Sequence, residues 1–458
     1  MAQLISTNPS KNYEAIGEVE ISSDSEIKEK VALANQVKRV WKEFGVQKRI
    51  ELLKPIYEEF KMRQAEIAEL ITREMGKPIT ESISEASSFI SEFEWFMNHV
   101  GPAVADEVTH EDDKSLHKIV YEPFGTAAVI SPWNYPFGMA MWGIIPNLLV
   151  GNTVVFKISE ECPLVGKLIE QVMLSHDLPA GVFAEVYGAG EVGQKLAESE
   201  INLIWFTGST RVGKLLYKIA ADKFIKAILE MGGSSPCLVF EDVDVPRFVQ
   251  AIYPERFSNC GQVCDSIKRL IVHESIFDQV VKGLQELVEA KIVGDPTNIG
   301  THLGCLVAKR QLTLLQEQVG DALQKGAKAV AGGGMPDDLA GAFYKPTILT
   351  NITRDMRVWK EEVFGPVLPV VSFKTEAEAV EMANDTSYGL GSRIWSKDLE
   401  RAKRVASRIE AGTVEINQVS RWLSCNPFGG YKQSGMGREH GTVGFRELCQ
   451  IKLISMEK

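Results

Sequence analysis

A cysteine in a short glycine-containing turn is the residue whose chemistry the sequence suggests first. Cys264 ends the segment 259–264 (NCGQVC), between a helical stretch over about 246–257 and a strand-like run at 269–273. A thiol at such a junction can face a cleft and receive backbone N–H groups, which favours the nucleophilic thiolate. The alternative is a buried cysteine that packs as a small hydrophobic residue, the commoner fate of a lone cysteine.

Two polar residues elsewhere in the chain could assist a nucleophilic thiol. Asn134 lies in a proline-flanked turn, 131–136 (SPWNYP), where its amide could donate to a developing oxyanion. An Asn in a turn also commonly bonds its own backbone. Glu230 precedes a Gly-Gly pair and is a candidate general base, although most glutamates at domain edges are simply solvated.

Two glycine loops compete for a dinucleotide. The loop 188–193 (GAGEVG) matches GxGxxG and follows a strand, but no acidic residue ends a strand about 20 positions further on, as the full fingerprint requires. The loop 206–213 (FTGSTRVG) also follows a strand and opens a helix, so its N–H groups could bind a pyrophosphate. Its alternative is an ordinary helix N-cap by Ser209 or Thr210.

A lysine and a glutamate follow a third strand end. Lys157 and Glu160 could hydrogen-bond the hydroxyls of a ribose, or they could be solvated charges at the start of a helix. A carboxylate at Glu160 would repel a 2′-phosphate, so the functional interpretation favours NAD over NADP. Arg211 in the neighbouring glycine loop could aid phosphate binding and weakens that preference.

The elements around these residues indicate an α/β protein. Short apolar runs at 127–130, 153–156, 183–187 and 203–206 alternate with helical stretches. This alternation predicts βαβ units and a parallel sheet, which binds ligands at the carboxyl ends of its strands.

A second alternation follows residues 230–233 and continues to about 430. We expect its strands at 237–240, 268–273, 345–349 and 367–372. The acidic segment 103–115 lacks periodicity and is predicted to be an arm or a long loop, and the tail carries a strand-like piece at 451–454.

Composition excludes several classes of partner. The 458 residues carry a net charge of −11, which argues against nucleic acid and anionic membranes as main partners. The seven scattered cysteines show neither a metal-ligand spacing nor a disulfide framework, so we expect no metal and a reducing, cytoplasmic location. We see no signal peptide, and glycines, prolines and asparagines interrupt the most apolar region, 139–156.

Taken together, these motifs resemble the NAD(P)-dependent aldehyde dehydrogenase superfamily, most closely its succinate-semialdehyde-dehydrogenase-like branch. The resemblance covers essentially the whole chain and rests on an ordered series of segments: 132–136, 157–160, 206–209, 230–233, 261–264, 361–366, 383–390 and 427–435.

The resemblance implies an architecture. It predicts two doubly wound α/β domains, a Rossmann-like cofactor domain (1–102 and 121–232) and a catalytic domain (233–430). A small β oligomerisation arm (103–120 and 431–458) would complete the chain and support a homodimer or a homotetramer.

The resemblance also implies roles. Cys264 matches the nucleophile, Glu230 the general base, and Asn134 the oxyanion donor that works with the backbone N–H of Cys264. A small-molecule aldehyde would be oxidised to an acid through a thiohemiacetal and a thioester, with NAD, or alternatively NADP, as cofactor. The implied cofactor-binding residues are Ser131, Pro132, Trp133, Lys157, Glu160, Gly190, Gly193, Phe206, Thr207, Gly208, Ser209, Val212, Met231, Gly232, Glu362 and Phe364.

The sequence departs from the semialdehyde-oxidising pattern on the substrate side. Relatives often carry an Arg on the helix after the Trp-Asn turn, whereas 139–144 here reads MAMWGI. Trp142 would suit an apolar or aromatic aldehyde, and Arg421 could supply a positive charge instead, so the substrate class stays open.

Glu415 stands where an aromatic or small residue is common, and Cys260 is either a packed residue or a disulfide partner of Cys264. Thiol esterase activity and an inert scaffold are the remaining alternatives.

Overall fold

The computed structural model describes residues 2–417 and 423–458, which form twenty strands and fifteen α-helices. The strands are β1 (Gln3–Asn8), β2 (Glu14–Glu20), β3 (Glu107–Glu111), β4 (Ser115–Pro123), β5 (Thr126–Ile130), β6 (Thr153–Lys157), β7 (Phe183–Glu185), β8 (Leu203–Thr207), β9 (Lys226–Glu230), β10 (Ser235–Val239), β11 (Ile267–His273), β12 (Lys328–Ala331), β13 (Thr347–Thr350), β14 (Val367–Phe373), β15 (Tyr388–Gly389), β16 (Gly391–Trp395), β17 (Thr413–Ile416), β18 (Tyr431–Lys432), β19 (Gly435–Met436) and β20 (Cys449–Glu457). The helices are α1 (Asp24–Glu43), α2 (Gly45–Met62), α3 (Gln64–Met75), α4 (Ile79–Ala103), α5 (Pro136–Val150), α6 (Pro163–Leu174), α7 (Gly190–Glu198), α8 (Thr210–Lys223), α9 (Val245–Phe257), α10 (Phe277–Glu289), α11 (Lys309–Gln324), α12 (Arg357–Lys360), α13 (Glu376–Asn384), α14 (Leu399–Ala406) and α15 (Gly441–Glu447).

The first large sheet has the order β19-β9-β8-β5-β6-β7 and is parallel except for β19. Every residue of β5, β6 and β8 is buried, because helices cover both faces. Strands buried on both faces read as continuous apolar runs, which is why the sequence located them. The predicted α/β fold class is confirmed.

The second large sheet has the order β12-β13-β14-β11-β10-β16-β17, and only its β12–β13 pair is antiparallel. The four predicted strands correspond to β10, β11, β13 and β14, whereas β12, β16 and β17 were missed. β16 reads GSRIW, so its first three residues lack the apolar signal of a strand, although all five are buried.

A separate three-stranded antiparallel sheet has the order β20-β4-β3. Of the two interpretations of 103–115, an arm or a long loop, the arm agrees better with the structure, because Glu107–Glu111 form β3 and pair with β4. The alternation of exposed polar residues there hides the strand, since neither face of β3 is buried. Strand β20 pairs with β4 along its whole length. The domain boundaries drawn above stay a prediction.

Within residues 2–417 and 423–458, no helix is both long enough and apolar enough to cross a membrane. The most apolar helix, α5, has 15 residues and contains Pro146.

Candidate active site

A cavity of about 640 Å³ lies between the two large sheets. The first sheet contributes loops at the carboxyl ends of β5, β8 and β9. The second contributes the segments just before β10, β11 and β14, which are the amino ends of three parallel strands. The strand pattern in the sequence predicts a ligand site at the carboxyl ends of the first sheet, but it does not predict the contribution from the amino ends of the second.

The cavity brings together most of the predicted site residues, although they are distant in sequence. Its lining includes Pro132, Trp133, Asn134, Trp142, Thr207, Gly208, Ser209, Glu230, Met231, Gly232, Cys264, Glu362 and Phe364. Seven predicted cofactor residues lie outside the lining: Ser131, Lys157, Glu160, Gly190, Gly193, Phe206 and Val212.

A left-handed turn leads to the half-buried Cys264. Asn259, Cys260 and Gly261 have φ angles of 52°, 54° and 71°. A Cβ at position 261 would stand 2.3 Å from the carbonyl oxygen of Gly365, so only glycine fits there. The turn places Cys264 in the cavity wall immediately before β11.

The side chain of Asn134 is bonded to the loop that carries Cys264. Its Nδ2 donates to the carbonyl oxygen of Gln262 at 3.1 Å. The backbone carbonyl oxygen of Asn134 accepts from Asn259 Nδ2 at 2.7 Å and from Lys77 Nζ at 3.0 Å. A primary amide has two N–H groups. The bond to Gln262 therefore orients the amide and leaves its second N–H as a donor for an oxyanion beside Cys264.

Glu230 ends β9 and is only 2% exposed. Neither of its carboxylate oxygens has a hydrogen-bond partner among the described residues. Burial, reinforced by the nearby Glu439 and opposed by Arg438, raises the pKa of Glu230 well above its usual range. A raised pKa makes the ionised carboxylate a stronger base toward water.

Glu362 is held at the opposite side of the cavity. It pairs with the buried Lys268 and accepts the backbone N–H of Gly233 at 3.0 Å. A Cβ at position 232 would stand 2.0 Å from Glu362 Oε2, so Gly232 is needed for this close approach. The ring of Phe364 meets Trp133 edge-on at 5.4 Å between centroids.

Lys268 and Lys77 are site residues that the sequence analysis missed. Lys268 Nζ also donates to the carbonyl oxygens of Gly233 (2.9 Å) and Cys264 (2.8 Å), and burial lowers its pKa. Lys77 pairs with buried Glu85 and lies 3.7 Å from the centre of the Tyr135 ring. The available signal was the placement of Lys268 and Arg269 inside an otherwise apolar strand.

The loop between β8 and α8 presents the first turn of that helix to the cavity. Ser209 is the N-cap of α8 and accepts from Val212 N at 3.4 Å, so the N-cap interpretation is confirmed. Because Gly208 and Ser209 also line the cavity, a cap of this kind and a pyrophosphate site are compatible.

The second glycine loop lies beside the lysine that ends β6. A Cβ at Gly193 would stand 3.8 Å from the Lys157 side chain, and Lys157 Nζ lies 3.4 Å from Glu160 Oε2. Burial tends to raise the pKa of Glu160, but Lys157, a backbone hydrogen bond and Arg310 together outweigh burial, and the pKa lies below its usual value. Glu160 is therefore a carboxylate at neutral pH.

Aromatic rings line the predicted substrate side. Trp142 is buried, and its indole N–H donates to Glu92, whose pKa burial raises to about 7. Phe89 and Phe428 pack against Trp142 with ring centroids 5.3 Å and 6.0 Å away. Arg421, the other predicted substrate residue, lies outside the described residues.

The structure accounts for Glu415. Its Oε2 lies 3.0 Å from Arg393 Nε, and both side chains are buried. Arg393 also pairs with Glu255 and donates to the carbonyl oxygen of Asp265 at 3.2 Å. Glu415 and Arg393 are thus a matched pair of charges in adjacent strands, β17 and β16.

Cys260 faces away from the cavity. Its Sγ donates to the carbonyl oxygen of Gly304 at 3.8 Å, in a core cluster that contains Cys305. Burial raises the pKa of the Cys260 thiol well above its usual range. None of the seven cysteines, all in described segments, is in a disulfide. Among the residues that the structure describes, no group of three or more His, Cys, Asp or Glu could hold a metal ion.

Comparison with known proteins gives consistent matches along the chain. The family model described as "Aldehyde dehydrogenase family" matches residues 2–454. The chain is 37% identical to the NADP(+) succinate-semialdehyde dehydrogenase of Deinococcus radiodurans, over 94% of this chain and 90% of that protein. It is 36% identical to the betaine aldehyde dehydrogenase of Bacillus subtilis, over 96% and 91%. The crystal structure of Staphylococcus aureus betaine aldehyde dehydrogenase in complex with NAD+ superposes with a TM-score of 0.95 at 32% identity, covering 99% of this chain and 91% of that one.

Proposed function

The chain belongs to the aldehyde dehydrogenase family, and we propose that it oxidises an aldehyde to a carboxylic acid through a thiohemiacetal and a thioester on Cys264. It is an NAD(P)-dependent aldehyde dehydrogenase. The observation that carries the proposed mechanism is the shared cavity, where the Cys264 turn, the Asn134 amide and the buried Glu230 meet the loops around Ser209 and Glu362.

The proposed steps use these three groups in order. The Cys264 thiolate adds to the aldehyde carbon, and the resulting oxyanion accepts hydrogen bonds from Asn134 Nδ2 and from the Cys264 backbone N–H. Residues around Glu362 and Phe364 would hold a nicotinamide that, when bound, would supply the hydride acceptor needed to convert the thiohemiacetal on Cys264 to a thioester. Glu230 then takes a proton from a water that attacks the thioester carbon, the C–S bond breaks, and the acid leaves.

We place the cofactor along the loops at the carboxyl ends of the first sheet, with its nicotinamide end reaching the segment before β14 of the second sheet. We assign the pyrophosphate to Phe206, Thr207, Gly208, Ser209 and Val212, around the start of α8. We assign the nicotinamide end to Glu362, Phe364, Met231, Gly232 and the Ser131–Trp133 segment. We assign the adenosine end to four residues that lie outside the cavity lining: Lys157, Glu160, Gly190 and Gly193.

The charge on Glu160 favours NAD in this assignment. A carboxylate held by Lys157 beside the adenine ribose would accept hydrogen bonds from the two ribose hydroxyls but would repel a 2′-phosphate. Arg211, in the first turn of α8, carries a positive charge that would favour an additional phosphate. We therefore expect NAD to be preferred, with NADP as a slower alternative.

Two substrate classes have support. A succinate-semialdehyde-like substrate is favoured by the name of the Deinococcus relative. An apolar or aromatic aldehyde is favoured by the aromatic wall of Phe89, Trp142 and Phe428.

The decisive experiment follows cofactor reduction with succinic semialdehyde, butanal and benzaldehyde, each with NAD and with NADP. Cys264→Ala should abolish reduction with every aldehyde, and Glu160→Gln should raise the NADP rate relative to the NAD rate. Glu230→Gln should keep a burst of one reduced cofactor per site followed by slow turnover. Ester cleavage without any aldehyde-dependent reduction would instead support a thiol esterase, and loss of the burst in Glu230→Gln would contradict the assigned base.

A further inference from the structure

We propose that Glu81 is a positioning residue for the reaction at Cys264, holding the left-handed turn that orients both the thiol loop and the Asn134 amide. This inference rests on the proposed function, because it assumes that Cys264 and Asn134 react as described. Glu81 is distant in sequence from Cys264 and Asn134, and it lies on α4, which forms one wall of the cavity.

The anchoring contact is a single short hydrogen bond. The backbone N–H of Asn259 donates to Glu81 Oε2 at 2.6 Å across a separation of 178 positions. Glu81 lies in the first turn of α4 and lines the cavity. Burial raises the pKa of Glu81 to about 7, while the Asn259 N–H and Lys77 act in the opposite direction. In both ionisation states an oxygen of the carboxyl group can accept the N–H.

The turn needs an external anchor because its conformation is unfavourable. Asn259 and Cys260 are both left-handed, with φ and ψ of 52° and 36° and of 54° and 33°. A residue other than glycine adopts this region at a cost, and Cys260 has no short polar side chain to offset that cost. Strain of this kind persists only where surrounding contacts impose it, and the bond to Glu81 is such a contact.

The anchored turn then fixes the oxyanion donor. Asn259 Nδ2 donates to the carbonyl oxygens of Asn134 (2.7 Å) and Gln262 (3.2 Å). The same Gln262 oxygen accepts Asn134 Nδ2. Gln262 Nε2 closes the ring by donating to the carbonyl oxygen of Asn259 at 3.1 Å. A displacement of Asn259 would therefore move the Asn134 amide and the Gln262 carbonyl together.

The test compares three single variants in the full-length enzyme. Glu81→Ala removes the acceptor, whereas Glu81→Gln retains a carbonyl oxygen for the Asn259 N–H. Glu94→Gln removes a carboxylate from an exposed position of the same helix and serves as the matched control. Each is measured by the pre-steady-state rate of cofactor reduction, by kcat, by KM for NAD, and by its thermal unfolding temperature.

We expect Glu81→Ala to lower the rate of cofactor reduction about tenfold to a hundredfold, the range that a small misplacement of reacting groups produces. KM for NAD should stay unchanged, because the cofactor residues are not part of this network. Glu81→Gln should recover most of the rate, and Glu94→Gln should match the wild type.

Three results would overturn the proposal: a normal reduction rate in Glu81→Ala, equal damage in Glu81→Gln and Glu81→Ala, or a loss that appears only in KM for NAD. If Glu81→Ala does not fold, Asn259→Asp provides the second variant, since it keeps the backbone N–H but removes the Nδ2 donor. A normal reduction rate in Asn259→Asp would overturn the proposal as well. If Cys264→Ala still oxidises aldehydes, the proposed function itself is wrong. If Cys264→Ala is inactive but Glu81→Ala reacts at the normal rate, only the role proposed for Glu81 is wrong.

Discussion

Glu230 and Glu439 are two buried carboxyl groups near the same end of the cavity. The carboxylate oxygens of Glu230 have no hydrogen-bond partner among the described residues, and burial raises both pKa values, that of Glu439 to about 8 although a hydrogen bond with Thr207 lowers it. The charge of Glu439 further raises the pKa of Glu230. Two such neighbours resist simultaneous ionisation, so the ionisation of one controls the basicity of the other.

This coupling predicts the effect of Glu439→Gln on pH dependence. A general base works only when deprotonated, so kcat should rise with pH through the raised pKa of Glu230. Removing the neighbouring carboxylate lowers that pKa, so the rise should move to lower pH. The measurement is kcat against pH at saturating aldehyde and NAD. An unchanged acid limb in Glu439→Gln, or an equal shift in the exposed control Glu286→Gln, would contradict the coupling.

Sequence patterns identify candidate site residues whose neighbours in the sequence restrict their possible roles. They do not identify residues whose contacts are with partners far away in the sequence. Cys264, Asn134 and Glu230 were identifiable because each lies in a turn or at a strand end that restricts its possible roles. Glu81 and Lys77 had no such signal, because their partners, Asn259 and the Asn134 carbonyl, are 178 and 57 positions away. The pairing of Glu415 with Arg393 likewise became visible only when β16 and β17 were adjacent.

At the level of elements, the side chain of Lys268 on β11 contacts three separate loops. Lys268 contacts the Gly232–Gly233 segment, the carbonyl of Cys264, and Glu362. These loops precede β10, β11 and β14, which are neighbours in the second sheet. The ammonium group thus fixes the amino ends of three strands against the cavity.

The variant Lys268→Met tests whether these contacts of Lys268 stabilise the three loops. Methionine fills a similar volume but leaves Glu362 and two carbonyl oxygens without their donor. Removing one partner of a buried ion pair costs roughly 3–5 kcal/mol, and since Glu362 is partly exposed we expect about 3 kcal/mol. The free energy of unfolding in urea should fall by that amount, and KM for NAD should rise because Glu362 loses its orientation. Lys282→Met, which breaks an exposed pair on α10, is the control and should change neither.

The predicted and observed strands differ where a strand is polar although buried, or is short and partly exposed. Strands β5, β6 and β8 were found because the runs 127–130, 153–156 and 203–206 are almost entirely apolar, whereas β12 and β17 are short and partly exposed, so neither period nor hydrophobicity marks them. Helices α2 and α3 are separated only at Arg63. Helical periodicity continues across that break, so the pattern alone could not reveal it.

For the whole molecule, the sequence established two α/β alternations but not how they meet. The cavity forms where the carboxyl edge of the first sheet faces the amino edge of the second, an arrangement that depends on non-local packing. Neither alternation contains all the proposed reacting groups, since Asn134 follows β5 and Glu230 ends β9 in the first sheet, whereas Cys264 precedes β11 in the second. The proposed chemistry therefore requires both sheets to be docked.

The three-stranded sheet β20-β4-β3 is the surface on which we expect a second copy of the chain to associate. Strand β20 lies at the edge of this sheet and exposes Ile451 (68%) and Leu453 (62%). An exposed apolar edge strand offers unpaired backbone groups to another chain. Replacing both residues with Glu should convert the predicted homodimer or homotetramer to monomers in sedimentation velocity, because charge would then have to be buried at the contact. Leu399→Glu, at an exposed leucine on α14, should leave the assembly intact. A wild-type monomer, or a double variant that still assembles, would contradict the assignment of this surface.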